Sequence, residues 1–316
     1  MIGVALLTPT IVYCADTYPV KPVRIVAPFA PGGGGDTVAR LIAQKLSESL
    51  AQPIIVENRP GASNIIGTEL VARAAPDGYT LLVMNTVHTI NGAIIAKLPY
   101  HTLNDFTAIT LIATTPFILI AHPSLPVKSV RELIMLARAR PGQINYASAG
   151  QGTPGHLAVE MLRGATGIDI VHIPYKGITQ ALIDTVAGAT QIMILSPVGT
   201  LAQVKAGRVR ALAVTTAQRS NAESLRALPT LRESGVADYE FSSWYGMIGP
   251  RGIPAAIIAR LNEAAHKGLA QNDLRGKLAA EAAEAAPGTP EQFTALLQQE
   301  VQRYTALARK FKLQAI

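Results

Sequence analysis

The chain has 316 residues, 49% of them hydrophobic and only 5% aromatic, with 28 basic against 21 acidic side chains and a net charge of +7. That length holds two domains of ordinary size, and the aliphatic bias suits the buried strands of an α/β protein. The basic residues form no run and no aromatic interleaving, which argues against a nucleic-acid partner; the single cysteine, Cys14, excludes an internal disulfide and a cysteine metal cluster.

The opening segment, MIGVALLTPTIVYCA, is apolar but too short to span a bilayer. Its small residues and the polar Asp16-Thr17 that follow read as the tail of a secretory signal lacking a basic start; the alternative is a buried strand interrupted by Pro9. From Tyr18 the chain alternates strand and helix. Val23–Ala27 is expected as a strand, Asp36–Leu50 as a helix, Ile54–Val56 as a strand, Asn64–Ala75 as a helix and Tyr79–Asn85 as a strand. This β-α-β-α-β order implies parallel strands with right-handed crossovers and a ligand at their carboxyl ends.

The first strand breaks at Phe29 and Pro31 into Gly32, Gly33, Gly34 and Gly35, and a helix opens at Asp36 and Thr37. Glycines that permit positive φ, set at a helix start, make either an anion site or a tight turn capped by Asp36. Walker A and dinucleotide fingerprints both fail in register, so the fitting anion is small, such as a carboxylate. Asn85, Thr86 and His88 leave the third strand at the same edge; His88 reads as a ligand contact or as a solvated loop residue.

The β-rich run Ala108–Ala121, with Pro116 in its middle, is expected to carry the first crossing into a second lobe. Ser129 to Glu132 is a capping box that opens a helix. Ile144–Ala147 is a strand that breaks into Ser148-Ala149-Gly150-Gln151-Gly152-Thr153, and a helix follows near His156. Ala147, Ser148, Ala149, Gly150, Gly152, Thr153 and His156 thus repeat the strand, glycine loop and helix start of the first lobe, either as a second half-site or as an unrelated turn. Strands at Asp169–Ile173, Gln191–Leu195 and Val209–Val214 follow, with Tyr175 and Ser196 at strand ends, where they wall a cleft or fill a core. Phe241–Gly249, which holds the only tryptophan, Trp244, reads as the return crossing. Three helices close the chain, Pro254–Leu269, Asn272–Ala283 and a last one from Pro290. Two crossings make a hinge around a cleft.

Metal and HExxH-type patterns are missing, and Tyr146-Ala147-Ser148-Ala149-Gly150 lacks the first glycine of a nucleophile elbow, so hydrolysis by Ser148 is a weak reading. The loops offer hydroxyls and amides without a pair of titratable groups, an inventory for binding.

The blocks YPVKPVRIVAPFAPGGGGDTVAR, IIVENRPGASNIIGTELVARAAPDGYTLL, INYASAGQGTPGHLAVEM, VHIPYKG, VRALAVTT and SSWYGMIGP run through nearly the whole chain after residue 17. Together they resemble the Bug family, the periplasmic receptors of tripartite tricarboxylate transporters. The resemblance implies an α/β, two-lobed, Venus-flytrap fold of type II-like periplasmic binding proteins, each lobe a mainly parallel sheet flanked by helices. It places residues 18–121 and 247–316 in the first lobe, 122–246 in the second, and leaves 1–17 as the signal-like segment. It further implies a monomeric, non-enzymatic, cofactor-free and metal-free receptor in the periplasm. In such receptors the loop corresponding to Phe29–Thr37 holds a ligand carboxylate, partly through waters, and the loop corresponding to Ala147–His156 adds backbone and hydroxyl contacts. The partner is a membrane transporter or, alternatively, a sensor kinase. The unbroken Gly32–Gly35 run departs from many relatives. So does the lack of acids around Gln191–Pro197, which favours a carboxylate without an amino group.

Overall fold

The computed structural model describes residues 18–198 and 200–310; the signal-like reading of residues 1–17 lies outside them. The first lobe runs β1 (Val23–Ala27), α1 (Gly34–Leu50), β2 (Ile54–Asn58), α2 (Ile65–Ala72), β3 (Thr80–Asn85), α3 (Val87–Ile94) and β4 (Phe106–Pro116). The second runs β5 (Ile118–Ala121), α4 (Val130–Ala139), β6 (Asn145–Ser148), α5 (Pro154–Thr166), β7 (Val171–Pro174), α6 (Ile178–Val186), β8 (Ile192–Leu195), α7 (Leu201–Lys205) and β9 (Arg210–Val214). The chain returns through β10 (Ser242–Pro250), α8 (Ala255–Leu269), α9 (Asn272–Ala280), β11 (Glu284–Ala285) and α10 (Pro290–Lys310).

Among the described residues the strands form two sheets, ordered β11-β4-β10-β3-β1-β2 and β7-β6-β8-β5-β9. Alternation along each strand builds a layer on both faces. In β3, Leu81 and Val83 meet the core beneath α1 and α8, while Leu82 and Met84 join the opposite core with Val71, Phe293 and Leu297. In β8, Ile192 and Ile194 face one core of the second lobe, and Met193 and Leu195 the other. The expected parallel character holds for β1 with β2 and β3, and for β6 with β7 and β8. The strands β4, β5 and β10 pair antiparallel, because a chain that leaves one sheet and later comes back enters in the opposite sense.

The expected lobe boundaries need correction. Strand β5, assigned above to the first lobe, pairs with β8 and β9 in the second sheet. All of β10 pairs with β3 and β4 in the first sheet, although its first residues fall on the second lobe's side of the expected boundary. The crossings therefore lie at Pro116-Phe117 and Phe241-Ser242, where register sets Ser242 opposite Pro116. Thr215 clips them together: it accepts from Phe117 N through Oγ1 at 2.9 Å, donates its N–H to Phe117 O at 3.0 Å, and accepts from Phe241 N at 2.9 Å. The Phe117 and Phe241 rings stack at 5.5 Å.

Helix α10 does not stay within the first lobe. Thr289 and Gln292 cap it by exchanging two hydrogen bonds. Its first half, with Phe293 and Leu297, packs on the first sheet; Tyr304 and Ala308 join the second lobe's core. The helix expected through Ala283 stops at Ala280, where Ala282 takes φ +52° and β11 begins.

Candidate functional site

A cavity of about 340 Å³ lies between the lobes. The crossing strands supply its floor: Thr115 and Phe117 from one, Ser243 and Tyr245 from the other. Each pair is spaced by two residues, which puts both members on one face of a strand, and register sets Ser243 opposite Thr115. Asn85 and Val87 of the first lobe close one side; Ala149, Thr153, Pro154, Gly155, Ile178, Ile194, Leu195 and Ser196 of the second close the other. No charged side chain is among these described lining residues. Three helices begin in the wall: α3 at Val87, α5 at Pro154 and α6 at Ile178. The first-turn N–H groups of a helix lack intrahelical acceptors, so these ends supply donors and partial positive charge without a cation.

The first glycine loop does not line this cavity. Asp36 is turned into its own lobe, where its carboxylate accepts from Gly32 N at 2.9 Å, from Asn58 Nδ2 at 2.8 Å and from Arg40 Nε at 3.1 Å. Burial pushes its carboxyl up, but the bonds from Arg40, Gly32 and Asn58 outweigh that and hold it below the ordinary range. The N-cap of α1 is Gly33, and Asp36, in the first turn, ties the loop to Arg40 and Asn58. Pro31, Gly32 and Gly33 are exposed, Thr37 donates its N–H to Gly33 O, and Phe29 packs edge-on against Tyr245 at 6.2 Å. Of this loop, Gly34 comes nearest the second lobe: a methyl placed on it would stand 3.3 Å from Tyr245 Oη on the cavity floor and 3.5 Å from Val198 Cγ2 across the cleft.

In the second loop, Ala149 and Thr153 reach the cavity, as does Ser196 farther along. Ser148 and His156 stand behind it. Ser148 Oγ donates to Gly150 O at 3.0 Å, accepts from Gly150 N at 3.1 Å and lies 2.7 Å from His172 Nε2. His156 Nδ1 accepts from Gly152 N at 3.1 Å, and its ring stacks on His172 at 4.2 Å. Burial lowers both imidazoles, His172 to about 4, so they are neutral; His156 accepts from the loop, while His172 Nε2 donates to Ser148 Oγ, whose own proton goes to Gly150 O. Ala147 is buried in β6, and Gly150 takes φ +130° against Tyr175 O. Gly152 (φ +75°) touches the first lobe, for a methyl there would overlap Ile94 Cδ1. Tyr175 packs on the second lobe's core instead of walling the cleft, its hydroxyl facing Asp184.

The other correction concerns α3, read from sequence as a loop. Thr86 is its N-cap and is fully buried; His88 is buried between Tyr100 and Phe106, with Nε2 2.9 Å from Thr102 O. Burial lowers its pKa to about 4. His88 is a core residue, not a ligand contact. The sequence reading placed Asn85 at this sheet edge but missed Thr115, Phe117, Ser243 and Tyr245 as lining residues. Part of the signal was present: residues two apart in a crossing strand share a face, but which face meets the cleft depends on the packing of the lobes.

Two lobes joined by two strands and closed over an uncharged, donor-lined cavity define a solute-binding protein. The chain matches the family model described as tripartite tricarboxylate transporter family receptor over residues 38–313. Protein BugT of Bordetella pertussis is 34% identical over 298 residues, which cover 94% of this chain and 91% of that protein. Rpa4515 of R. palustris, solved with adipate, is 35% identical with a TM-score of 0.82, over 92% of this chain and 97% of its own. MatC from Rhodopseudomonas palustris, solved with bound malate, is 32% identical with a TM-score of 0.78, over 92% of this chain and 99% of its own. The chain belongs to the tripartite tricarboxylate transporter receptor family, as its motifs implied. Its members are receptors, not enzymes, and the buried, backbone-bound Ser148 fits that.

Proposed function

We propose that this receptor captures a small carboxylate in the cavity between its lobes, in the periplasm, and delivers it to a membrane transporter. The observation that carries the reading is the cavity wall itself: three helix starts and a set of polar side chains, with no charged side chain among the described lining residues. Anions are stabilised at helix starts, and amide and hydroxyl donors bind an ionised carboxylate more strongly than a neutral acceptor. The volume falls near the low end of the roughly 300–1,000 Å³ typical of small-molecule sites. Adipate in Rpa4515 and malate in MatC support the same ligand class.

A thermal-shift screen against mono-, di- and tricarboxylates and aromatic acids tests the reading. A ligand present at a hundredfold its Kd stabilises the folded state by about 2.7 kcal/mol, a rise in Tm of roughly 5 °C. No rise with any carboxylate would refute it. Delivery is tested by recovering the membrane subunits with the loaded receptor and not with the empty one.

A further inference from the structure

The hydrogen-bond directions around the cavity are fixed by groups that can only donate. Val87 N–H donates to Asn85 Oδ1 at 3.1 Å, and Asn64 Nδ2 lies 3.4 Å from the same oxygen. A backbone N–H cannot accept, so the oxygen of Asn85 is turned to it and the amide NH₂ is the end left for the cavity. On the floor, Trp244 N–H donates to Thr86 Oγ1 at 3.2 Å. Thr86 passes its own proton to Ser243 Oγ, also at 3.2 Å. Ser243 is therefore an acceptor toward the core, and its proton remains for the cavity. Ser196 repeats the pattern more weakly, its Oγ accepting from Val198 N at 3.4 Å. The remaining hydroxyls, of Thr153, Thr115 and Tyr245, are neutral: Thr153 donates to Gly150 O at 2.7 Å and Thr115 to Ala282 O at 3.1 Å, leaving uncharged lone pairs, and burial raises the Tyr245 phenol to about 12. The acid nearest in sequence to the cleft loops, Asp36, is turned away and held by three partners.

We infer that Asn85 and Ser243, assisted by Ser196, form a wall of donors without an anionic acceptor, which selects a carboxylate bearing no amino group. The inference rests on the receptor reading and deepens it. A carboxylate meets N–H and O–H groups already pointed at it. An ammonium on the same ligand would be buried against donors and neutral oxygens, with no counter-charge to offset its desolvation.

The test is calorimetric titration of the whole receptor with matched pairs: succinate and aspartate, glutarate and glutamate, hydrocinnamate and phenylalanine. The expected result is that at least one acid binds and its amino partner binds about tenfold or more weakly. An amino partner that binds as tightly as its acid overturns this inference and leaves the receptor reading standing. Binding by no member of any pair overturns this inference, and the receptor reading then stands or falls on the wider carboxylate screen. Asn85→Asp supplies the second arm. It keeps an oxygen for Val87 N–H and replaces the donor by an anionic acceptor, so the acid should lose about tenfold or more and the gap to its amino partner should close or reverse. An unchanged acid affinity in Asn85→Asp, with an unliganded Tm like that of the parent, overturns the role of Asn85. Ser243→Ala checks the floor independently: the acid should weaken, and unchanged affinity removes Ser243 from the wall.

Discussion

At Gly34 the two lobes come within a methyl group's reach of each other, and that fixes what the position tolerates. Gly34→Leu would drive its side chain against Tyr245 and Val198. Within its own lobe only the end of the Tyr245 side chain stands near, so the fold and the unliganded Tm should hold while closure against Val198 fails; titration should show carboxylate affinity falling by about tenfold or more. His88 makes a different prediction. Its pKa is lowered from 6.5 to about 4 by burial. The unfolded chain therefore binds the proton first, and the stability that the neutral ring permits is complete above pH 6.5 and is lost as pH falls toward 4. The loss attributable to this residue reaches up to about 3 kcal/mol. Tm measured between pH 7 and pH 4 should fall less steeply in His88→Phe than in the parent, because phenylalanine fills the aromatic cluster without titrating.

Among the elements, α10 ties the cleft to the back of the molecule. Its Glu300 is buried and accepts from Trp244 Nε1 at 2.7 Å and from Thr89 Oγ1 at 2.8 Å. Burial raises the carboxyl above its ordinary value against these bonds. Arg303, one turn on, donates to the Glu240 carbonyl beside the return crossing. Glu300→Ala strands the buried Trp244 indole N–H, whereas Thr89 keeps the Thr86 carbonyl as acceptor; it should cost about 1–3 kcal/mol, read as a lower urea midpoint, and Glu300→Gln should recover part of it. The same contacts explain why α3 was illegible in sequence. Val87–Ile94 contains His88, Thr89 and Asn91, which look like loop residues. They are buried because Thr102 O, Glu300 and Ser63 O stand ready to bond them, partners up to 211 positions away. By contrast β1, α1 and α4 were legible because their signals are local: β-branched alternation, glycines before an amphipathic run, and Ser129 accepting from Glu132 N. β11 and α7 are too short to carry a period at all.

For the whole molecule, the two-lobed plan and both crossings could be read from the chain, whereas their positions drifted by about five residues because one hydrophobic run serves two sheets without a break at Pro116. The cavity wall was less legible than the fold, since its membership depends on the register of β4 against β10 and on how far the lobes close. Gly34 against Val198, and Gly152 against Ile94, mark the described conformation as a closed one. A closed form that the ligand stabilises predicts compaction: the radius of gyration from solution scattering should fall on adding a bound carboxylate, and should not fall in Gly34→Leu.

The only tryptophan of the sequence lies on β10 between Ser243 and Tyr245, two residues of the cavity floor, with its indole N–H held by the carboxylate of α10. A rearrangement of the hinge changes the surroundings of that ring, and indole emission is sensitive to its surroundings. The receptor thus contains a single native chromophore at its pivot, able to report occupancy optically without a label and in real time.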